Sequence, residues 1–128
     1  MKKTIILTAI ALSFTLASNA SSISADQQVT YLEAEFKLSP LCASVVKGDL
    51  DTVKKLVELG VDINEKSNGM TPAMYAARYN KVEILEYLID QGAKLKTRSD
   101  KGLTAMKYAE ISKANGAVTV IENALAKA

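Results

Sequence analysis

The amino-acid sequence predicts an all-α solenoid of about three helix-turn-helix repeats joined by short β-turn fingers. Two observations carry this expectation. First, a phrase recurs at a fixed offset: Pro40 lies 32 residues before Pro72, as do Gly48 before Asn80, Val53 before Leu85, Leu56 before Leu88 and Gly60 before Gly92. Going forward, Gly69, Thr71, Tyr75, Ala76, Leu85 and Leu88 meet Gly102, Thr104, Tyr108, Ala109, Val118 and Ile121 at an offset of 33. A period of that length marks stacked supersecondary units, each of which buries its apolar face only against its neighbours. Second, the first two copies are punctuated alike, with a capping hydroxyl and a proline at one end and a glycine at the other, and the third keeps the capping hydroxyl.

The middle copy shows how each element arises. Thr71 is a good helix N-cap, and Pro72 suits the first helical turn, where a missing N–H costs nothing. Ala76 and Ala77 let this short helix pack closely against its neighbours. Asn80 tolerates the left-handed conformation that ends such a helix, as Gly48 does in the preceding copy. After the turn, Ile84, Leu85, Leu88 and Ile89 recur at the spacing of an apolar helical stripe, matched upstream by Val53, Leu56 and Val57. Gly92 and Gly60 then close the second helix of each pair. Between copies run Val61 to Gly69 and Ala93 to Gly102, polar extended segments turned by Asn68-Gly69 and by Asp100-Lys101-Gly102, which read as fingers. In the third copy Asn115-Gly116 falls two residues after the expected turn, so either its first helix is longer or its register slips.

The amino terminus reads differently. Met1-Lys2-Lys3 is a short basic start, Thr4 to Ala17 is almost uninterrupted apolar sequence, and Ser18-Asn19-Ala20 places small side chains where a signal peptidase cuts. The apolar run falls short of the roughly 20 residues needed to span a bilayer. The expected organisation is a signal peptide over 1–20, an amino-terminal segment and cap over 21–38, and repeats over about 39–66, 67–98 and 99–128. The mature product is expected to be periplasmic, with no membrane span. Val29, Leu32, Phe36 and Leu38 are the apolar residues available to cover the first end of the stack.

Composition removes several function classes. Loss of residues 1–20 takes Lys2 and Lys3 from 16 basic residues and leaves 14, against 14 acidic ones. A near-neutral chain argues against a nucleic-acid binder, which would normally carry a strongly basic face. There is one cysteine, Cys42, so no internal disulfide can staple the domain, and folding rests on packing. With no histidine anywhere, serine–histidine and cysteine–histidine catalysis and histidine-ligated metals are excluded. Asp49 and Asp51 flank a helix start, where acids are favoured by capping and by the helix dipole. Glu83 and Glu86 fall on a polar helix face, and Glu33 and Glu35 precede the first full copy. The glycines are spaced as turn punctuation, not as a phosphate loop. The chain is therefore expected to be no enzyme, with no cofactor and no metal.

Together these residues resemble the ankyrin-repeat family, whose period of about 33 residues opens on a Thr-Pro-Leu-His-type motif. Here the motif stands as Thr71-Pro-Ala-Met-Tyr-Ala-Ala77, then Val82-Glu-Ile-Leu-Glu-Tyr-Leu-Ile89 and Gly92-Ala93. The first copy keeps Ser39-Pro-Leu-Cys-Ala-Ser44, and the third keeps Gly102-Leu-Thr-Ala-Met-Lys-Tyr-Ala109. The resemblance covers roughly residues 36–125. The family histidine, whose ring ties helix to finger, is replaced by Cys42, Met74 and Lys107, so that bond is expected to be absent throughout. Cys42 thereby reads as a buried, inert thiol, with an intermolecular disulfide or a redox role as the alternatives.

The resemblance implies a small exported bacterial member that binds one protein partner through its concave face of finger tips and first helices. Carried over position by position, that face comprises Lys47, Lys66, Ser67, Asn68, Met70, Arg78, Tyr79, Arg98, Asp100, Lys101, Leu103 and Ser112. Arg78 and Tyr79 are the side-chain types that most often anchor interfaces. Arg98 and Lys101, with Lys94 and Lys96 nearby, make the second finger basic and favour an acidic patch on the partner. A monomer is expected. The family includes immunity proteins against delivered toxins, exported proteins that support oxidative-stress resistance, and secreted effectors that bind host proteins, and all three roles are open to this sequence.

Overall fold

The computed structural model describes residues 38–128, and the expected signal peptide and most of the amino-terminal cap lie outside them. Among the described residues there are six helices and no named strand. They are α1 (Pro40–Lys47), α2 (Leu50–Glu58), α3 (Pro72–Arg78), α4 (Val82–Asp90), α5 (Ala105–Ile111) and α6 (Asn115–Lys127). None is long and apolar enough to cross a membrane.

Local chemistry sets where each helix begins. Ser39, Thr71 and Thr104 accept from the N–H groups of Cys42, Met74 and Lys107, so the same hydroxyl cap opens α1, α3 and α5. Asp49 caps α2 by accepting from both the backbone N–H and the hydroxyl of Thr52, at 3.1 and 2.6 Å. Those two bonds hold its carboxyl below the usual carboxylate range. Asp49 is thus committed to a helix cap rather than to acid–base chemistry.

The first helices α1, α3 and α5 pack in a row, and the second helices α2, α4 and α6 form a parallel row behind them. Being central, α3 buries every residue from Pro72 to Ala77. The core that joins the rows includes Leu41, Val45, Val53, Met74, Leu85, Leu88 and Ile121, all at 1% exposure or less. Leu38 packs against this core from the first end of the stack.

The third copy corrects the sequence reading. Its first helix is not longer than that of the second copy, and its register does not slip: α3 and α5 are both seven residues, placed 33 apart. Lys113 occupies the turn position of Asn80, with φ of 56° against 53°. Asn115-Gly116 therefore opens α6 instead of making the turn. Glycine is needed there because a Cβ would lie 2.8 Å from Val82 Cγ2. That close approach lets the Asn80 side chain accept from Ala117 N–H at 3.0 Å, so the turn of one repeat caps the helix of the next.

The fingers are tight turns with little strand character. In the first, Ser67 and Met70 exchange backbone bonds of 2.8 and 3.2 Å around Asn68 and Gly69, both with positive φ. In the second, Ser99 N–H donates to the Leu103 carbonyl at 2.8 Å. The two lie side by side: Asp100 N–H donates to the Gly69 carbonyl, and the Asn64 amide bonds the Gly92 carbonyl and Lys94 N–H.

Candidate functional site

The sequence-selected surface residues separate into three groups. Arg78, Tyr79, Lys47 and Ser112 stand exposed at the carboxyl ends of the first helices. The repeat offset places Lys47, Tyr79 and Ser112 in one row, and Val46, Arg78 and Ile111 in the row beside it. Because α1, α3 and α5 pack directly, these rows run continuously across the stack. Arg78 lies over its neighbour's ring, with its guanidinium carbon 5.6 Å from the Tyr79 centroid, a cation–π arrangement that pre-orients both side chains. Ile111 was not among the sequence-selected residues, yet it is 61% exposed, more than Tyr79 at 41%. Its position 33 residues after Arg78 was the signal that could have found it.

The second group sits on the finger tips. Lys66 and Asp100 form an ion pair across the two fingers at 3.4 Å. Arg98 donates to the Gly102 carbonyl at 3.0 Å, which holds its side chain along the finger. Lys101 and Asn68 are exposed, and Leu103 is half-buried.

The third group is taken up by the fold. Met70 is a correction: it is buried in the core at 8% exposure, because the turn at Asn68-Gly69 points it inward. Ser67 is spent on structure, since its hydroxyl accepts from Ser39 N–H at 2.8 Å and its carbonyl accepts from the Tyr75 hydroxyl at 2.7 Å.

The histidine's own bond is absent, as the sequence implies. A different helix-to-finger tie is present, made by the tyrosine one residue after the histidine position. Tyr75 donates to the Ser67 carbonyl, and Tyr108, at the equivalent position, donates to the Ser99 hydroxyl at 2.9 Å. At Met74 the thioether sulfur also accepts from Thr71 N–H at 3.4 Å. Burial pushes the Tyr75 phenol up to about 12, with the nearby Cys42 and Tyr79 acting in the same direction. Cys42 itself is free and fully buried, and burial raises its thiol above the ordinary value, which keeps it protonated and unreactive.

The electrostatics of the exposed face follow from its pairing. Of its acids, Asp100 and Glu110 each have a lysine partner, Lys66 and Lys107, while exposed Glu65 on the first finger has none among the described residues. Lys47, Arg78, Lys101 and Lys113 have no ion-pair partner among the described residues. The face therefore presents an excess of unpaired cations around the apolar surface of Tyr79 and Ile111. Among the described residues no three carboxylate or thiol ligands converge as a metal site.

A family model of ankyrin repeats (3 copies) matches residues 16–99 and 41–124. The chain belongs to the ankyrin-repeat family. Among curated relatives, Dauer abnormal formation protein 25 of Caenorhabditis elegans is 34% identical over 67% of this chain and 23% of its own length. Human ankyrin repeat and SOCS box protein 11 is 34% identical over 70% of this chain and 26% of its own. This ankyrin chain thus spans about a quarter of the length of these relatives. Among solved structures, a chain in the complex of the Bd0816 predatory endopeptidase from Bdellovibrio bacteriovorus with immunity protein Bd3460 matches with a TM-score of 0.64 and 30% identity. That match covers 67% of this chain and 46% of the other.

Proposed function

We propose that this ankyrin-repeat chain is an exported, periplasmic, non-catalytic binding module that clamps one protein partner on the face of its first helices and finger tips, acting as an immunity or inhibitor protein. The carrying observation is the pair of adjacent rows that brings Arg78, Tyr79 and Ile111 together, large side chains held outward at the ends of first helices whose inward faces are committed to the core. Tyr79 and Ile111 offer apolar contact that a partner can desolvate, while Arg78 can grip a carboxylate through two parallel N–H bonds. The unpaired lysines around them favour an acidic partner surface and speed encounter. The likeness to a complex that contains an immunity protein supports the inhibitor role.

The test begins with a periplasmic pull-down using the full chain, with the partner identified and its affinity then measured. Arg78→Ala, Tyr79→Ala and Ile111→Ala should each weaken binding by about 1–3 kcal/mol with helicity unchanged. Glu83→Ala and Glu86→Ala, on α4 in the second-helix row, should do little. Loss of binding from the α4 changes alone would place the interface on the other side of the stack.

A further inference from the structure

The second-helix side of the stack holds a feature that the proposed interface does not use. α4 ends at Asp90, and the chain turns at Gly92, φ 97°, to lay the second finger against the first. Gly60, φ 94°, makes the same turn one repeat earlier. Such angles suit glycine and disfavour any residue with a Cβ. The position 33 after Gly92 is Leu125, and there the chain does not turn: α6 runs on as helix to Lys127. Among the described residues, finger two is consequently left without the neighbour that finger one has.

The result is an open trough of about 590 Å³ between the end of α4, the second finger and the last turn of α6. Its apolar floor is Ile89, Ala93, Leu95 and Leu125, and Lys94 and Lys96 stand along it. That volume lies within the usual range for ligand clefts. One repeat earlier the equivalent space is filled. Ile63, the counterpart of Leu95, is buried there at 9% exposure, and Asn64 bonds the backbone of Gly92 and Lys94 in the adjoining finger. Leu95 remains half-exposed, and Lys96 stands where Asn64 stands in the first finger.

We propose that the trough is a docking site for a short, acidic, turn-forming segment of a partner protein, which lies along the second finger as that finger lies along the first. Two observations select this occupant. The chain's own packing shows what shape fits beside a finger, namely a short turn with one apolar side chain, Ile63 in the first finger, directed inward. The charge selects its chemistry: Lys94 and Lys96 form no ion pair among the described residues, whereas Asp62, the counterpart of Lys94 in the first finger, is acidic.

The probe is the blocked peptide Gly-Ala-Glu-Leu-Glu-Thr, the run from Gly92 to Thr97 with both lysines exchanged for glutamate. It is titrated into the isotopically labelled full chain and followed by amide and methyl NMR, with decanoate titrated separately as an anionic amphiphile. The expected result is saturable shifts at Ile89, Leu95 and Leu125. They should weaken at least tenfold in the double variant Lys94→Glu with Lys96→Glu, weaken similarly in Ala124→Arg, and persist in Arg78→Ala. Both variants are at exposed or half-exposed positions, and a dispersed amide spectrum checks that they fold. The proposal is overturned if the peptide gives no saturable shifts at the trough, whether or not decanoate binds. It is equally overturned if binding survives both trough variants or disappears with Arg78→Ala.

Discussion

Replacing Tyr75 by phenylalanine isolates the bond that ties a first helix to its finger, and the outcome should depend on pH in a way that packing alone cannot produce. At neutral pH the change deletes a 2.7 Å hydrogen bond from a phenol at 5% exposure. The Ser67 carbonyl keeps a second donor, Met70 N–H at 3.2 Å, so no acceptor is orphaned. The expected cost is therefore near the ordinary net value of about 1 kcal/mol, which for a domain of this size lowers the melting temperature by roughly 4–8 °C. Above pH 10 the ordering should change. An unfolded tyrosine releases its proton near pH 10, while folded Tyr75 holds it to about 12. The unfolded state then binds fewer protons than the folded one, so wild-type stability falls as pH rises through this window. The loss specific to Tyr75 should be about 1 kcal/mol at pH 11 and roughly 2 kcal/mol at pH 12. The Tyr75→Phe side chain carries no such proton, so the variant should overtake the wild type near pH 11. Urea denaturation followed by far-ultraviolet circular dichroism, at steps from pH 7.5 to 11.5, measures both curves on one scale. A wild-type advantage that stays constant with pH would refute the assignment of the raised phenol to burial in the folded state. No advantage at neutral pH would refute the role of the tie.

Other substitutions probe the stack elsewhere. Leu88→Ala, at a position with no exposure in the central repeat, should cost about 2–5 kcal/mol and unfold the short stack in a single transition, as read from coincident fluorescence and dichroism melts. Asn80→Ala removes the cap on α6 and puts a side chain without a local hydrogen bond at φ 53°, for an expected loss of about 2 kcal/mol by urea denaturation. Lys113→Gly, at φ 56° and exposed, should raise stability by roughly 1 kcal/mol, and a drop instead would show that its side chain does more than tolerate the turn.

Much of this protein was legible in the chain because helix caps, turn residues and apolar stripes act over three to eight residues. Ser39, Thr71 and Thr104 open helices by bonding the third residue on, and that spacing is visible in any linear reading. The period of 32–33 residues likewise announced a row of helical pairs, since units of that size must stack to bury a face. What stacking then does with particular side chains was decided only in three dimensions. Asn80 reaches the start of α6, 37 residues away, because the turn of one repeat abuts the helix of the next, and so Gly116 serves close approach where the dipeptide had suggested a turn. Tyr75 and Tyr108 take over the missing histidine's task because their hydroxyls, at the end of a buried ring, meet the finger backbone or a finger serine. Met70 and Ile111 exchange roles for the same reason: a turn with positive φ drives one inward, and the outward row of first-helix ends carries the other into solvent. Leu125 in the place of a glycine is plain in the sequence, but its consequence, a helix that runs on and leaves the second finger uncovered, exists only where α4, the finger and α6 meet.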